Sequence, residues 1–415
     1  MANKSLLNKK MSKLTLAESD DDLLYNDGKK LTKADFVDKG IEDEYILTDE
    51  VWHLSFEQAR EKLDYVVELL ENNSSFLLPN LEPDNTVFSS STGRIVRKVS
   101  KRNRGGMRKL QKTSRDFLEC LVRRLIMNLD SLMDQKSNVH MYLRALYYGM
   151  HNEFPELNVT TGMVDDYIDA LCCLFKCDRE SLGVTACDID SSYVGNIIVH
   201  RQDVSGVNRK VVKENATKLT SPYRVNFGNI KSIQPSEVPP RCILIVEKLT
   251  VFRALCSSDI HRKIPCVIIS GSGQPSIDCR LFVKRVHECF PDVPIFAIVD
   301  CNPFGFDIFK TYKYGSMKLA FMSRNLAVAS IRLIGLFYSE ISGFGVKDDQ
   351  LQSLTKHDSN RLKNMIGEEW LKHEEEVSVS LKRIMETQRK ADVEIVANWV
   401  DKIQEKIISL LDSNP

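Results

Sequence analysis

The 415-residue sequence contains no run of about 20 uninterrupted apolar residues, the length that a helix needs to cross a membrane. It contains no Walker-type phosphate-binding loop, so we expect no nucleotide hydrolysis by this chain alone. The N-terminal residues Met-Ala-Asn-Lys-Ser carry no apolar signal segment. These features predict an intracellular protein that does not span a membrane.

The sequence also lacks a regular cysteine framework. Its 11 cysteines are an odd number and lie in apolar runs, which predicts reduced core residues. A zinc site formed by Cys172, Cys173, Cys177 and Cys187 is the alternative, but no paired knuckles with histidine accompany these cysteines. We therefore expect no zinc.

The chain has no net charge, because 57 basic residues balance 57 acidic ones, but the charges are unevenly distributed. Residues 18–50 carry 12 acidic side chains and four lysines. Residues 94–124 carry 12 lysines and arginines and only two acids. The basic run is either a solvated surface or a contact for a polyanion such as DNA.

Composition divides the chain into five predicted regions. Residues 1–50 form an acidic, disordered tail. A helix introduced by the capping-box residues Ser55 and Gln58 is followed by a loop over 73–106, and apolar periodicity from about residue 378 predicts long C-terminal helices. The regions are an acidic tail (1–50), an N-terminal helix and basic linker (51–106), a helical domain (107–205), a polar connector (206–240) and an α/β domain with C-terminal helices (241–415).

Three helical periodicities and two alternating stretches occupy the third region. The first helix is predicted to begin at Thr113-Ser114, the second covers 141–148, and Thr160-Thr161 caps the third. Residues 181–187 and 193–199 alternate in polarity like the strands of a hairpin. Three short helices followed by a hairpin predict a winged helix, a helix-turn-helix with a β-hairpin wing.

The α/β region contains short apolar runs separated by helical periods, which predicts a parallel sheet flanked by helices. Glu247, Asp300 and Asn302 follow directly after two of these runs. Ligands of parallel sheets bind where the strands end, and oxygen ligands suit Mg²⁺. The same three residues could instead cap helices at the strand-to-helix turns. The predicted strands are 242–246, 266–270, 294–299 and 331–337.

Motifs in this order resemble the family of the topoisomerase VI A-type chain, whose eukaryotic branch contains the meiotic DNA double-strand-break transesterase. Glu247-Lys248 and Asp300-Cys-Asn302 look like the metal site of its Toprim domain. The winged-helix motif Arg-x-x-Tyr-Tyr is present upstream. The matching segments are Arg144–Tyr148, Arg179–Gly183, Gly195, Gly271–Pro275, Arg280, Asp300–Gly305 and Tyr312–Ser316.

The resemblance implies an α/β multi-domain protein in which a winged-helix domain precedes a Toprim domain with a Rossmann-like parallel sheet. It implies that Tyr148 attacks a DNA phosphodiester, leaving a 5′-phosphotyrosyl link. Arg144 would stabilise negative charge, and Mg²⁺ would bind Glu247, Asp300 and Asn302. The implied DNA contacts are Arg102, Arg104, Arg115, Arg179, Lys248 and Arg280.

Further implications concern partners. The family cuts double-stranded DNA as a homodimer or as a heterotetramer with a topoisomerase VI B-like subunit, and the tyrosine of one protomer works with the metal site of the other. The meiotic branch acts in the nucleus, on chromosomes, with break accessory proteins.

The sequence departs from the family pattern at three positions. Asn302 replaces a second aspartate, which weakens the case for a second metal ion, although Asp307 could compensate. Ser276 stands where the family often has an acidic residue, and Cys279 stands where the family commonly has threonine. Two other functions therefore stay open: the cleavage subunit of an ATP-dependent type IIB topoisomerase, and a non-catalytic DNA-binding scaffold with a degenerate site.

Overall fold

We analysed a computed structural model of the chain, which describes residues 25–26, 29–30, 45–46, 51–72, 77–99, 107–134, 141–185, 191–202, 211–216, 223–224 and 230–413. The described residues fall into two compact units. The first lies within residues 1–187 and includes 316–325, and the second comprises the described parts of 188–315 and 326–415. Among the described residues, no helix is long and apolar enough to cross a membrane.

Helices contribute much of the core of the first unit. Phe117, Leu121 and Leu125 are fully buried on one face of the longest helix, as the apolar periodicity predicts. The helices of this unit are α1 (Phe56–Glu71), α2 (Lys112–Met133), α3 (Leu143–Glu153) and α4 (Thr161–Phe175). Its strands are β1 (Tyr25–Asn26), β2 (Lys29–Lys30), β3 (Tyr45–Ile46), β4 (Leu77–Pro79), β5 (Thr86–Ser89), β6 (Arg94–Val99), β7 (Met107–Lys109), β8 (Met141–Tyr142) and β9 (Val184–Thr185).

Two of the three predicted helix starts are confirmed. Ser55 and Gln58 form the capping box of α1, and the Thr160 hydroxyl accepts a hydrogen bond from the Met163 N–H, 3.1 Å away, at the start of α4. The prediction for α2 is wrong, since this helix begins at Lys112 with Gln111 as its N-cap, and no side-chain hydrogen bond caps it. The loop predicted over 73–106 is also wrong in part, because β5 and β6 pair antiparallel there.

The second unit is organised by a six-stranded sheet. Its strands lie in the order β13 (Tyr223–Arg224), β10 (Ser192–Gly195), β16 (Cys266–Ser270), β15 (Cys242–Val246), β17 (Ile295–Ile298) and β18 (Arg332–Leu333). Strands β16, β15, β17 and β18 are parallel, and every residue of β15 and β16 is buried. The predicted parallel sheet is therefore confirmed, although β18 is much shorter than the predicted strand 331–337. The strands are β10 (Ser192–Gly195), β11 (Ile197–Gln202), β12 (Val211–Asn215), β13 (Tyr223–Arg224), β14 (Ile230–Pro235), β15 (Cys242–Val246), β16 (Cys266–Ser270), β17 (Ile295–Ile298), β18 (Arg332–Leu333), β19 (Gln352–Ser353) and β20 (Arg389–Lys390).

Helices connect the strands of this unit and form its C-terminal part. The long C-terminal helices predicted from the sequence are present, although residues 388–398 between the last two helices are not α-helical. The helices are α5 (Leu249–Ser257), α6 (Ile260–Lys263), α7 (Ile277–Cys289), α8 (Pro303–Lys313), α9 (Ser323–Leu326, whose first three residues belong to the first unit), α10 (Tyr338–Ile341), α11 (Lys356–Ile366), α12 (Glu375–Thr387) and α13 (Trp399–Asp412).

The predicted hairpin wing does not form from residues 181–187 and 193–199. Strand β9 pairs in parallel with β8, whereas β10 joins the six-stranded sheet antiparallel to β16. Gly195 permits this pairing, because a Cβ atom at its φ of +131° would lie 2.0 Å from the Cys266 carbonyl oxygen. The predicted connector over 206–240 is also wrong in part, since it contains β12 and β14, which both pair antiparallel with β11.

Candidate active site

The strand ends of the parallel sheet bring Glu247 and Asp300 together, as their position in the sequence predicts. Glu247 follows β15 and Asp300 follows β17, two neighbouring strands. The Asp300 N–H donates to Glu247 Oε2 over 2.8 Å. Gly305 leaves room for this contact, because a Cβ atom there would lie 2.4 Å from the Asp300 carbonyl oxygen and 3.0 Å from Glu247 Oε2.

Burial makes the two carboxylates difficult to ionise together. It raises the pKa of Glu247 to about 7, and the negative charge of Asp300 adds to that shift. Burial also raises the pKa of Asp300, a residue that is only 2% exposed. Hydrogen bonds from the Val393 N–H and from Lys248 favour the ionised form of Asp300 and oppose this shift. The site therefore has more negative charge than its surroundings compensate.

Lys248 supplies positive charge to this site. Its Nζ lies 2.9 Å from Asp300 Oδ2, 2.9 Å from Asp392 Oδ2 and 3.2 Å from Glu394 Oε2. Although burial disfavours its charge, the hydrogen bonds to Asp392 and Asp300 raise the pKa of Lys248. Lys248 thus serves as a counter-ion within the acidic site, and its contact with DNA stays a prediction.

Asn302 acts as a helix cap, which is the alternative weighed for it above. Its Oδ1 accepts a hydrogen bond from the Gly305 N–H over 2.8 Å at the start of α8, with Pro303 in the first turn. A carbonyl oxygen has a second lone pair, so this bond does not prevent metal coordination. Asp307 forms hydrogen bonds with Gln274 and Arg361, and its role as a replacement for the missing carboxylate stays a prediction.

The described residues include no group of three or more His, Cys, Asp or Glu side chains arranged to hold a metal ion. The carboxylates nearest to Lys248 are spaced around an ammonium group, at distances of about 3 Å. Mg²⁺ needs oxygen ligands at about 2.1 Å. The donor set and its excess negative charge fit a hard divalent cation, but the side chains must contract around it.

Three of the four cysteines of the alternative zinc site lie in the described part of the chain. Cys172, Cys173 and Cys177 are buried free cysteines, and Cys187 lies outside the described residues. Burial raises the pKa of Cys173 to about 11, which favours the neutral thiol. This agrees with the prediction of reduced core cysteines.

Tyr148 and Arg144 lie one turn apart on α3, in the first unit. Tyr148 is 60% exposed, and its hydroxyl has no hydrogen-bond partner among the described residues. Its ring centroid lies 5.0 Å from that of Tyr147, which stacks on His151 at 5.5 Å. The exposed phenol is therefore accessible to a large substrate while its ring is held on one side.

The structure describes four of the six predicted DNA contacts, and each of these side chains is either buried or bonded to other groups of the protein. Arg115 donates to the Leu70 carbonyl oxygen over 2.9 Å, and Arg280 is 1% exposed. Arg179 lies 2.6 Å from Asp169 and 2.7 Å from Asp165, and Lys248 occupies the acidic site. The Arg179 side chain is 12% exposed and that of Arg280 is buried, so their contact with DNA stays a prediction. Arg102 and Arg104 lie outside the described residues.

The basic run of residues 94–124 is partly neutralised by internal ion pairs. Arg123 pairs with Glu119 at 2.9 Å and with Glu71 at 2.5 Å. Arg124 pairs with Glu153 at 2.5 Å and its Nη2 also donates to the Gly149 carbonyl oxygen over 3.4 Å, next to Tyr148. The charge pattern of the sequence does not reveal this link between α2 and α3, because Glu153 lies 29 residues from Arg124 and outside the run.

The acidic pair should make stability depend on pH when no metal is present. The pKa of Glu247 rises from 4.5 to about 7 in the folded chain, so the folded state binds an extra proton between these values. Stability is therefore expected to fall as pH rises from about 4.5 to about 7.

Glu247→Gln should remove this pH-dependent loss, making the variant more stable than wild type by up to about 3 kcal/mol at pH 8 and similar to it at pH 4. Urea unfolding in EDTA at both pH values measures the difference. An equal difference at both pH values would contradict the shifted pKa.

Arg179 offers a second test of stability. Burial raises the pKa of its partner Asp169 to about 6, and the Asp169 side chain has no exposed surface. Arg179→Met would leave that carboxylate without its cation and should cost about 3–5 kcal/mol of unfolding free energy. Urea unfolding measures the loss, and the exposed Lys112→Met is the control. Unchanged stability with weakened DNA binding would instead support the predicted DNA contact.

Part of the chain matches a known family of domains. Residues 242–406 match the family model that describes the Toprim domain of Spo11 and of the A-type chain of topoisomerase 6. The "Meiotic recombination protein SPO11" of Mus musculus is 29% identical over 260 residues, which cover 62% of this chain and 62% of that protein. That of Homo sapiens is 32% identical over 232 residues, covering 56% and 55%.

A topoisomerase chain matches a larger part of the sequence. The A3 chain of DNA topoisomerase 6 from Oryza sativa subsp. indica is 24% identical over 327 residues, which cover 78% of this chain and 69% of that protein. The chain spans less than two thirds of the length of the mouse and human relatives. These matches confirm the resemblance that the motifs predict.

Proposed function

The second half of this chain carries a Toprim domain of the Spo11 and topoisomerase 6 A-type family, and we propose that the protein is a Mg²⁺-dependent DNA transesterase. The observation that carries the proposal is the pairing of Glu247 with Asp300 at the strand ends of that domain, over 2.8 Å. The half-buried Glu247 and the buried Asp300, both with raised pKa values, form a site for a cation, which a phosphoryl-transfer reaction uses.

Tyr148 is the proposed nucleophile. Its phenol oxygen attacks the phosphorus of a DNA phosphodiester, the bond to the 3′ oxygen breaks, and a 5′-phosphotyrosyl bond forms. The phenol proton leaves to solvent, and the released 3′ oxygen takes up a proton to become a hydroxyl. Its 60% exposure suits a substrate as large as duplex DNA.

Arg144 is proposed to stabilise the negative charge that develops during the attack. It is exposed on α3, one turn before Tyr148, so both side chains lie on one side of the helix. A guanidinium stays protonated at neutral pH and can donate two hydrogen bonds to phosphate oxygens.

Glu247, Asp300 and the Asn302 amide oxygen are the residues that would hold Mg²⁺. When bound, the ion supplies positive charge to the phosphate and its leaving oxygen. Asp300 would have to exchange Lys248 for the ion, while the Val393 N–H, 2.9 Å from its Oδ1, keeps the carboxylate oriented.

The biological role that we propose is the formation of double-strand breaks at the start of meiotic recombination. The mouse and human relatives are meiotic recombination proteins by name. This role places the protein in the nucleus, on chromosomes, as a homodimer or a heterotetramer with a topoisomerase VI B-like subunit, together with break accessory proteins. Helices α2 to α4 are proposed as its DNA-binding module.

The proposal is tested by recovering protein covalently linked to DNA after denaturation. Purified full-length chain, with a B-like partner if needed, is incubated with duplex DNA in Mg²⁺ or in EDTA and separated under denaturing conditions. We expect 5′-linked complexes only with Mg²⁺. Complexes of equal yield in EDTA would contradict metal dependence, and their complete absence in both conditions, with DNA binding intact, would favour a non-catalytic scaffold.

The cleavage subunit of a type IIB topoisomerase is the second candidate. It is favoured by the match to the A3 chain of a topoisomerase 6 over 78% of this chain. ATP-dependent relaxation of supercoiled DNA by a complex with an ATPase partner would support this candidate, whereas cleavage without relaxation supports the meiotic role.

A further inference from the structure

The backbone beside the acidic pair brings a further carboxylate into register with it. Cys301 and Ala391 form an antiparallel bridge, with the Cys301 N–H 2.9 Å from the Ala391 carbonyl oxygen and the reverse bond at 3.2 Å. The next residues along the two antiparallel segments, Asp300 and Asp392, are therefore neighbours. The Val393 N–H, 2.9 Å from Asp300 Oδ1, fixes the same register.

Both aspartates face one cation. Lys248 Nζ lies 2.9 Å from Asp300 Oδ2 and 2.9 Å from Asp392 Oδ2. The Asp392 side chain is 29% exposed, so it is half-buried at the rim of the site and can reach a ligand bound there. Glu394 is the more exposed third partner, at 3.2 Å and 40%.

Asn302 leaves the strand ends with two carboxylates, those of Glu247 and Asp300. Asp392 adds a third negative charge within contact of the same ammonium group, on a segment that the bridge holds against residue 301. A divalent cation that displaced Lys248 would meet both aspartates.

We propose that Asp392 is a metal-binding residue that supplies the carboxylate missing at residue 302, and that Lys248 occupies this position until a divalent cation displaces it. The inference rests on the proposed function, since it concerns the same cation site. It adds a ligand from a segment about 90 residues further along the chain.

Mn²⁺ binding to the full-length protein, without DNA, tests this inference. Electron paramagnetic resonance of free Mn²⁺ gives the dissociation constant for wild type and variants. Asp392→Asn is expected to weaken binding at least about 10-fold, and Glu394→Gln, the control on the same segment, less than about threefold. Adding Asn302→Asp to Asp392→Asn should restore affinity to within about threefold of wild type, because it returns a carboxylate that can also cap α8.

Folding is followed by the melting temperature of each variant in EDTA. If Asp392→Asn does not fold, Asp392→Cys provides a test with a spectroscopic signal. A thiolate prefers soft cations, so the ratio of Cd²⁺ affinity to Mn²⁺ affinity should be at least about 10-fold higher in this variant than in wild type. The Cd²⁺ complex of the variant should also show a new thiolate-to-cadmium absorption band.

Two results would overturn the inference in distinguishable ways. If Asp392→Asn binds Mn²⁺ like wild type while Asp300→Asn does not bind it, Asp392 is no ligand but the proposed metal site stands. If wild type does not bind Mn²⁺, or if Asp300→Asn binds it as tightly as wild type, the metal site of the proposed function fails as well.

Discussion

Tyr148→Phe is expected to reduce covalent protein–DNA complexes at least about 1000-fold, because phenylalanine has no oxygen to attack phosphorus. The ring lies exposed on α3, and its hydroxyl bonds to no described residue, so the folded structure should not change. The complex is measured by denaturing recovery of labelled DNA with the protein.

Tyr142→Phe is the matched control. Tyr142 precedes α3 as its N-cap, is 43% exposed and makes no side-chain capping bond, so complex formation should stay at the wild-type level. DNA binding by Tyr148→Phe should also be retained. An undiminished covalent complex in Tyr148→Phe would show that another residue is the nucleophile.

Glu247→Gln is expected to reduce DNA cleavage at least about 100-fold at saturating Mg²⁺ while DNA binding persists, because a neutral amide holds a divalent cation far less well than a carboxylate. The amide oxygen can still accept the hydrogen bond from the Asp300 N–H, so the strand ends should keep their structure. Cleavage is measured as linear product from a circular duplex.

The control for this variant is Glu376→Gln, which removes an exposed carboxylate from α12. It should cleave like wild type. Partial recovery of Glu247→Gln in Mn²⁺, which binds nitrogen and oxygen ligands more tightly than Mg²⁺, would support a ligand role. Equal cleavage by Glu247→Gln and wild type at limiting Mg²⁺ would rule out that role.

The parallel sheet could be predicted because its strands are buried on both faces. Such strands are continuous apolar runs, and β15 and β16 lie where these runs occur, over Cys242–Val246 and Cys266–Ser270. Parallel strands end at one edge, so the proximity of Glu247 and Asp300 followed from their positions alone.

The hairpin could not be predicted correctly, because local alternation shows that a strand forms but not which strand it pairs with. The predicted strand 193–199 overlaps β10, yet the partner of β10 is β16, more than 70 residues away in the chain. Gly195 was the available signal: a glycine within a strand pattern often marks a close approach of another backbone.

Ion pairs with residues elsewhere in the chain determine the surroundings of the charged residues in the motifs. Arg179 and Lys248 are cations in motifs, and their sequence neighbours do not reveal that Asp169 and Asp392 neutralise them. The same long-range pairing hid Asp392 itself, which lies in a segment without strand or motif signals. Burial of a charged side chain depends on tertiary contacts that periodicity does not encode.

The most direct test of the account is to identify the residue that carries the DNA. After cleavage in Mg²⁺, the covalent complex is digested with nuclease and trypsin, and the nucleotide-bearing peptide is sequenced by mass spectrometry. We predict a nucleotide linked through its 5′ phosphate to Tyr148 within the peptide Ala145–Lys176. A nucleotide on Tyr147, on Tyr167 or on any other residue would contradict the account.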